Sequence, residues 1–350
     1  MRTQTALQVV GRGAATVIEC PVPVPSQLDV LVRISAVALN PIDSKLLYGA
    51  ITPPIPTRLG CDFAGVIEVV GESVTRDLKI GDRVAGMVQG GNTLRPDDGA
   101  FAESVVAPAH AIIKLPDVVP FEQGAALATP VFIAALYLFK VLGLPWPDHT
   151  GISVLSTQVL IYGGGTATGA MAIQLAKLAG LHVITTCSRQ SSDLVLRCGA
   201  NAVFDYNDID WAKKVRTATK DHLAYVIDCI SNEASAASCA IAIGTPGGKY
   251  LSCTVRGPEI ARNNIVTLKP VGFTVLGREF TIGSDERRFA VVEADGEFVQ
   301  AFIPITERLL KEGKISVFPI ECHYGLIRIP EGLQALYQGQ IRGVRLVYRL

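Results

Sequence analysis

The run Val159-Leu160-Ile161-Tyr162-Gly163-Gly164-Gly165-Thr166-Ala167-Thr168-Gly169-Ala170 restricts the fold more than any other part of the chain. An apolar strand that turns through glycines into a helix brings bare backbone close to whatever lies above the turn. The first N–H groups of the helix and its dipole then face a phosphate. Glycine-rich turns also serve packing alone. Here the rest of a strand–helix–strand unit follows at the spacing a dinucleotide site requires. Strands are expected at Val159–Tyr162, His182–Thr186, Ala202–Phe204, Tyr225–Cys229, Lys249–Ser252 and Phe273–Leu276, with helices such as Gly169–Ala179 and Glu233–Ile243 between them. Alternation of this kind specifies an α/β fold, a doubly wound parallel sheet covered on both faces. Gly163 and Gly165 are the cofactor-binding glycines expected in the turn.

The next strand end decides which nucleotide is preferred. Enzymes that take NADH place Asp or Glu there for the ribose 2′-hydroxyl. Here the strand runs into Cys187-Ser188-Arg189-Gln190-Ser191, and no acid comes before Asp193. Ser188 and Arg189 offer a hydroxyl and a guanidinium, which suit a 2′-phosphate and hence NADPH; the alternative is a solvated surface arginine. Tyr206, closing Val203-Phe204-Asp205-Tyr206, either lies against an adenine ring or packs as an ordinary aromatic.

The first 115 residues differ in texture, with short β-rich runs (Asp29 to Val37, Phe63 to Val70, Arg83 to Val88) between glycine and proline turns. After about residue 283 come an amphipathic helix near Phe298 to Lys311 and a β-rich tail at Gly343 to Tyr348, best housed by returning to the first domain. The expected organisation is 1–118, 119–282 and 283–350, the outer segments sharing one domain. With 32 basic and 32 acidic residues, the chain has no basic field to attract nucleic acid or anionic lipid. The apolar stretch Ala125 to Trp146 contains Thr129, Pro130 and Lys140 and reads as a buried helix rather than a membrane span. The N-terminus has no signal-peptide pattern. Eight scattered cysteines without a Cys-x-x-Cys pair read as reduced core residues of a cytoplasmic protein.

Taken in order, Asn40-Pro41-Ile42-Asp43, Leu59-Gly60-Cys61-Asp62-Phe63-Ala64-Gly65-Val66, Gly81-Asp82-Arg83-Val84, the glycine turn and Gly343-Val344-Arg345-Leu346-Val347 resemble the medium-chain dehydrogenase/reductase superfamily across the whole chain. The resemblance implies a GroES-like catalytic domain, split in sequence, with a Rossmann domain inserted. Zinc members carry Cys near Asn40, Gly-His-Glu where this chain has Gly60-Cys61-Asp62, and a four-cysteine loop near residues 90–98. This chain has none of these, and His110, His182, His222 and His323 are scattered. Closed structural zinc needs four ligands and catalytic zinc three, so no metal is expected. Within the zinc-free members, Gln4-Thr5-Ala6-Leu7, Ser44-Lys45, Thr166-Ala167-Thr168 and Tyr225 to Asn232 are similar to fungal trans-acting enoyl reductases. Quinone-reductase-like members tend to have Gly-Gly at 166–167.

That resemblance implies cofactor contacts at Lys45, Thr166, Ala167, Thr168, Ser188, Arg189, Tyr206, Cys253, Thr254, Val344 and Arg345. It implies substrate contacts at Val131, Phe132, Ile133, Leu138, Thr274, Val275, Leu276, Gly277 and Arg278. Ile133 replaces a smaller or hydroxylated residue found in several relatives, so the acyl pocket is expected to be reshaped. The implied reaction is NADPH-dependent reduction of an α,β-unsaturated thioester carried by the acyl carrier domain of a polyketide synthase or synthase–peptide synthetase hybrid. Lys45 is the catalytic candidate; its alternatives are to position the nicotinamide ribose or to face solvent. A quinone or enone reductase and a non-catalytic NADPH-binding scaffold are the competing readings. Gly277, Arg278 and Glu279, after the expected last strand, discourage edge pairing and point to a monomer.

Overall fold

β-Branched residues dominate the apolar runs after residue 157, and in the computed structural model these runs lie side by side. The structure describes residues 2–49, 51, 55–147, 157–254, 256–283 and 288–350. β1 (Gln158–Tyr162), β2 (His182–Cys187), β3 (Ala202–Asp205), β4 (Tyr225–Asp228), β5 (Gly248–Ser252) and β6 (Ile265–Leu268) form one sheet in the order β3-β2-β1-β4-β5-β6. Every pairing is parallel. The order reverses between β1 and β4, the switch point at which such sheets bind ligands. Helices Ala167–Leu178, Trp211–Ala218 and Glu233–Ala242 connect the strands. Leu160, Val215, Leu223, Val226 and Tyr250 pack in the core beneath them.

One expected strand is corrected. Phe273–Leu276 lies in a 3-10 helix, Gly272–Leu276, and the sixth strand is Ile265–Leu268 instead. Lys269-Pro270 ends the ladder, because proline has no N–H to donate. Gly277 then turns the chain at φ +61°.

The chain divides into two compact units, Pro130–Gly272 and Met1–Thr129 with Phe273–Leu350. These limits differ from the 118/119 and 282/283 junctions expected above. The helix Phe121–Ala125 packs on strands Asp29–Ala38 and Asp62–Val70, so it belongs with the first unit. On the return, the Thr281 N–H donates to Asn92 Oδ1 at 3.2 Å, binding that segment to the same unit.

The split unit is built on a seven-stranded sheet whose central strands are Asp29–Ala38 and Asp62–Val70. The terminal strand Arg345–Arg349 pairs antiparallel with the first of these, Val347 opposite Ala38. Val32, Phe63, Phe101, Leu333 and Leu346 fill its core. The amphipathic helix of the return segment runs Glu293–Lys311, starting earlier than expected, with Glu293 and Asp295 in its first turn, where acids complement the dipole. The stretch Phe121–Val141 is long and apolar enough to cross a membrane by length and composition, but 83% of its most apolar window is buried in the protein.

Candidate functional site

The glycine turn is shaped by contacts that leave it open where a ligand is expected. Gly163 takes φ +83°, a left-handed conformation that favours glycine. Its N–H donates to Thr186 Oγ1 at 3.1 Å, and the Gly164 N–H donates to the Thr186 carbonyl at 2.9 Å. A Cβ on Gly164 would fall 2.1 Å from Thr185 Oγ1, and one on Gly165 would fall 3.0 Å from Ser191 Oγ. Thr166 caps the helix Ala167–Leu178, accepting from the Gly169 N–H at 3.0 Å. Among the described residues the N–H groups of Gly165, Ala167 and Thr168 take no partner. Three unpartnered donors at a helix N-terminus beside a bare glycine fit a pyrophosphate.

Around this turn the parallel register gathers the other nucleotide candidates of the unit. Ser188 directly follows β2, and its Oγ lies 3.3 Å from Ser191 Oγ, the same serine that faces Gly165. Arg189 is exposed, and its guanidinium has no hydrogen bond or ion pair among the described residues. Tyr206 follows β3, 43% exposed, and its N–H donates to the Cys187 carbonyl at 3.3 Å. Cys253 and Thr254 follow β5; the Cys253 N–H donates to Ser231 Oγ at 2.9 Å. Turn, Ser188–Arg189, Tyr206 and Cys253–Thr254 thus share the C-terminal rim of the sheet.

Sequence reasoning passed over Asp228, at the end of β4. Its buried carboxylate accepts from the N–H groups of Ile230 and Ser231, from the Ser235 hydroxyl at 2.5 Å and from the Tyr250 hydroxyl at 2.7 Å. It shapes the turn whose Ile230 packs against Gly163. An acid ending an apolar strand was the available signal.

Of the substrate candidates in this unit, Val131, Phe132 and Leu138 are wholly enclosed, and Ile133 is 9% exposed against Gly272.

In the split unit, Lys45 stands exposed on the helix Pro41–Tyr48. Val344 is half-buried just before the terminal strand. Thr274 bonds Asp295, the Val275 carbonyl meets His110 Nε2 at 3.1 Å, and Gly277 packs on the same imidazole. Leu276 is buried. Arg278 forms a largely buried ion pair with Asp29. An arginine sheltered from water in this way holds its carboxylate.

Arg345 is engaged in the same way. Its guanidinium is buried, ion-paired with Asp62, and donates to Asn40 Oδ1 at 2.7 Å and to the carbonyls of Ala126 at 2.9 Å and Leu39 at 3.3 Å. The side chain therefore serves the interior, with four protein acceptors. Asp62 also accepts from the Asn40 amide at 2.9 Å and from the Thr129 N–H at 2.8 Å. Next to it, Asp43 accepts from the N–H groups of Asn40 and Gly60 and from the Cys61 thiol. Burial pushes the Asp43 carboxyl up to about 7, and burial with the two neighbouring acids pushes the Cys61 thiol well above its usual value. These are the positions that hold metal in zinc-bearing relatives, and they do not fit a zinc ion. The amide is bridged, and one carboxylate already holds an arginine. Among the described residues no cluster of three or more potential ligands occurs.

Residues 26–117 match the family described as alcohol dehydrogenase GroES-like domain, and residues 167–284 match zinc-binding dehydrogenase. The chain is 39% identical to the trans-enoyl reductase caaB of Aspergillus niger, with 99% of this chain and 96% of that protein covered. It is 38% identical to the trans-enoyl reductase ACTTS2 of Alternaria alternata, each covered in full. Among solved structures, an alcohol dehydrogenase superfamily protein from Novosphingobium aromaticivorans superposes with a TM-score of 0.80 at 21% identity, covering 99% of both chains. The CurK enoyl reductase does so with 0.76 at 18% identity, again covering 99% of both. Likeness at that level of identity speaks for the fold, a Rossmann sheet beside a GroES-like unit.

Proposed function

From the premise that the chain belongs to the medium-chain dehydrogenase/reductase family, and within it to the fungal trans-enoyl reductases, we propose that it is an NADPH-dependent enoyl reductase. It acts in trans on α,β-unsaturated thioesters carried by the acyl carrier domain of a polyketide synthase or synthase–peptide synthetase hybrid. The observation that carries this reading is identity of 38–39% along essentially the full length of the chain and of its trans-enoyl reductase relatives. The open glycine turn supports it.

NADPH, when bound, supplies hydride to the β-carbon of the alkene. The N–H groups of Gly165, Ala167 and Thr168 would orient its pyrophosphate, Ser188 and Arg189 would hold the 2′-phosphate, and Tyr206 would face the adenine. The negative charge that develops on the thioester oxygen needs donors in a site sheltered from water. Lys45, exposed and without an ion pair among the described residues, is the candidate to hold the ribose or to stabilise that charge. The donor set at Asn40, Cys61 and Asp62 supports a reaction without zinc. A cytoplasmic, monomeric protein accords with eight free cysteines and a short edge strand.

The test is to incubate the purified chain with NADPH and unsaturated pantetheine thioesters, following nicotinamide absorbance. Turnover of the thioesters with little or no turnover of quinones is expected. Reduction of quinones alone, or nucleotide binding without any turnover, would remove the reading.

A further inference from the structure

Tyr137 lies in the π-helical turn Leu136–Val141, closed by the Leu142 N–H donating to the Tyr137 carbonyl at 3.0 Å. Such widened turns recur at functional sites. The residue is only 2% exposed, yet its hydroxyl has no hydrogen-bond partner among the described residues. Buried phenols ordinarily find one, and an exception asks for an explanation. The oxygen is not sealed in, since it is not among the fully enclosed polar atoms that lack a partner. What surface the residue keeps includes its tip.

The place of that tip is set by three strand ends. A Cβ on Gly272, four residues beyond β6, would sit 4.0 Å from the hydroxyl oxygen. Cys253 and Cys229, the residues directly after β5 and β4, both act on the phenol electrostatically. Burial, and after it these two thiols, push its pKa well above 10, so at neutral pH the group is a donor. In a sheet with this order, the half of a dinucleotide that carries adenosine belongs with β1 to β3, where Ser188 and Tyr206 stand. The other half belongs over β4 and β5.

We propose that the Tyr137 hydroxyl is a positioning group that donates a hydrogen bond to a carbonyl oxygen of the ligand bound over the ends of β4, β5 and β6. A neutral donor in an apolar wall formed with Ile133 suits a neutral carbonyl better than a phosphate or carboxylate. Two such oxygens reach this region under the enoyl-reductase reading, on which the inference rests: the nicotinamide carboxamide and the substrate thioester.

The experiment uses the full chain and Tyr137→Phe. Nucleotide Kd is measured for NADPH and its thionicotinamide analogue, and KM and kcat for crotonyl pantetheine. A rise of about tenfold in the NADPH Kd, with loss of the wild-type preference for NADPH over the analogue, places the bond on the carboxamide. An unchanged nucleotide Kd with a rise of about tenfold in thioester KM places it on the substrate. A variant within twofold of wild type on every constant overturns the inference. So does a loss confined to kcat with an altered solvent isotope effect, which would make Tyr137 the proton donor. If the variant does not fold, wild type is compared on the thionicotinamide nucleotide and the crotonyl dithioester; binding of both as tight as their oxygen parents overturns it. Wild-type protein that neither binds NADPH nor reduces a thioester sinks the enoyl-reductase reading itself. Wild-type protein that does both beside an equivalent variant sinks only this inference.

Discussion

Arg345 and Asp62 meet in the interior with side chains only 5% and 0% exposed. Removing one partner leaves the other charged and without water. Arg345→Met is therefore expected to cost about 3–5 kcal/mol, read as a lower urea midpoint; an unchanged midpoint would mean the pair is solvated. Asp43, beside them, titrates near 7 because it is buried. An acid whose native pKa exceeds its unfolded value keeps a proton that the unfolded chain has lost. Its contribution to stability is present below about pH 4 and declines as pH rises through about 7. Asp98, which burial pushes up to about 6, adds a decline of the same sign. The fall in unfolding midpoint between pH 5 and pH 8 should be smaller in Asp43→Asn than in wild type; equal falls would rule Asp43 out as a source. In the proposed reading Arg189 carries the nucleotide preference. With its guanidinium exposed, Arg189→Ala is expected to weaken NADPH about tenfold and to leave NADH affinity unchanged. Equal losses for the two nucleotides would refute a 2′-phosphate contact.

Among elements, the β1 turn and its helix show how one short segment joins stability to binding. Thr166 caps the helix through the Gly169 N–H, so Thr166→Ala should destabilise the fold by about 1 kcal/mol in chemical denaturation. A larger loss would show that the hydroxyl does more than cap. Gly165 responds differently. Its added Cβ would meet the movable Ser191 side chain rather than backbone. Gly165→Val is therefore expected to keep a near-native midpoint while losing most nucleotide affinity, because the branched side chain stands where the pyrophosphate approaches. A folded variant that binds NADPH as wild type does would place the phosphates elsewhere. The correction at residues 265–276 belongs to this scale as well. Phe273-Thr274-Val275-Leu276 has the composition of a strand, and Ile265-Val266-Thr267-Leu268 has it too. Which of the two pairs with β5 depends on register and on Pro270, not on propensity.

At the scale of the whole molecule, β6 is one of the two edge strands of the parallel sheet. It is four residues long and gives way to Lys269-Pro270, features that blunt edge-to-edge pairing. Sedimentation is expected to return a single-chain mass near 37.2 kDa; a dimer would show that the edge pairs regardless. The parallel sheet, its glycine turn and the candidate residues on its rim were legible because they depend on neighbours in sequence. Hydrophobic runs of strand length, glycines where backbone must come close, and a missing acid after β2 all act over a few residues. The partners of Arg345 and Arg278 were not legible. Asp62 lies 283 positions from Arg345, and Asp29 lies 249 from Arg278. A charged side chain reads alike in sequence whether it meets a ligand or a distant carboxylate. The buried Tyr137 hydroxyl was hidden for the same reason: local pattern marks an aromatic in an apolar helix as core, and only the packed structure shows that its oxygen lacks a partner among the described residues. The sequence by itself determined the order of elements and the chemistry available at the turn. The tertiary structure decided which charges are spent internally, because burial and pairing depend on segments that meet only when the chain has folded.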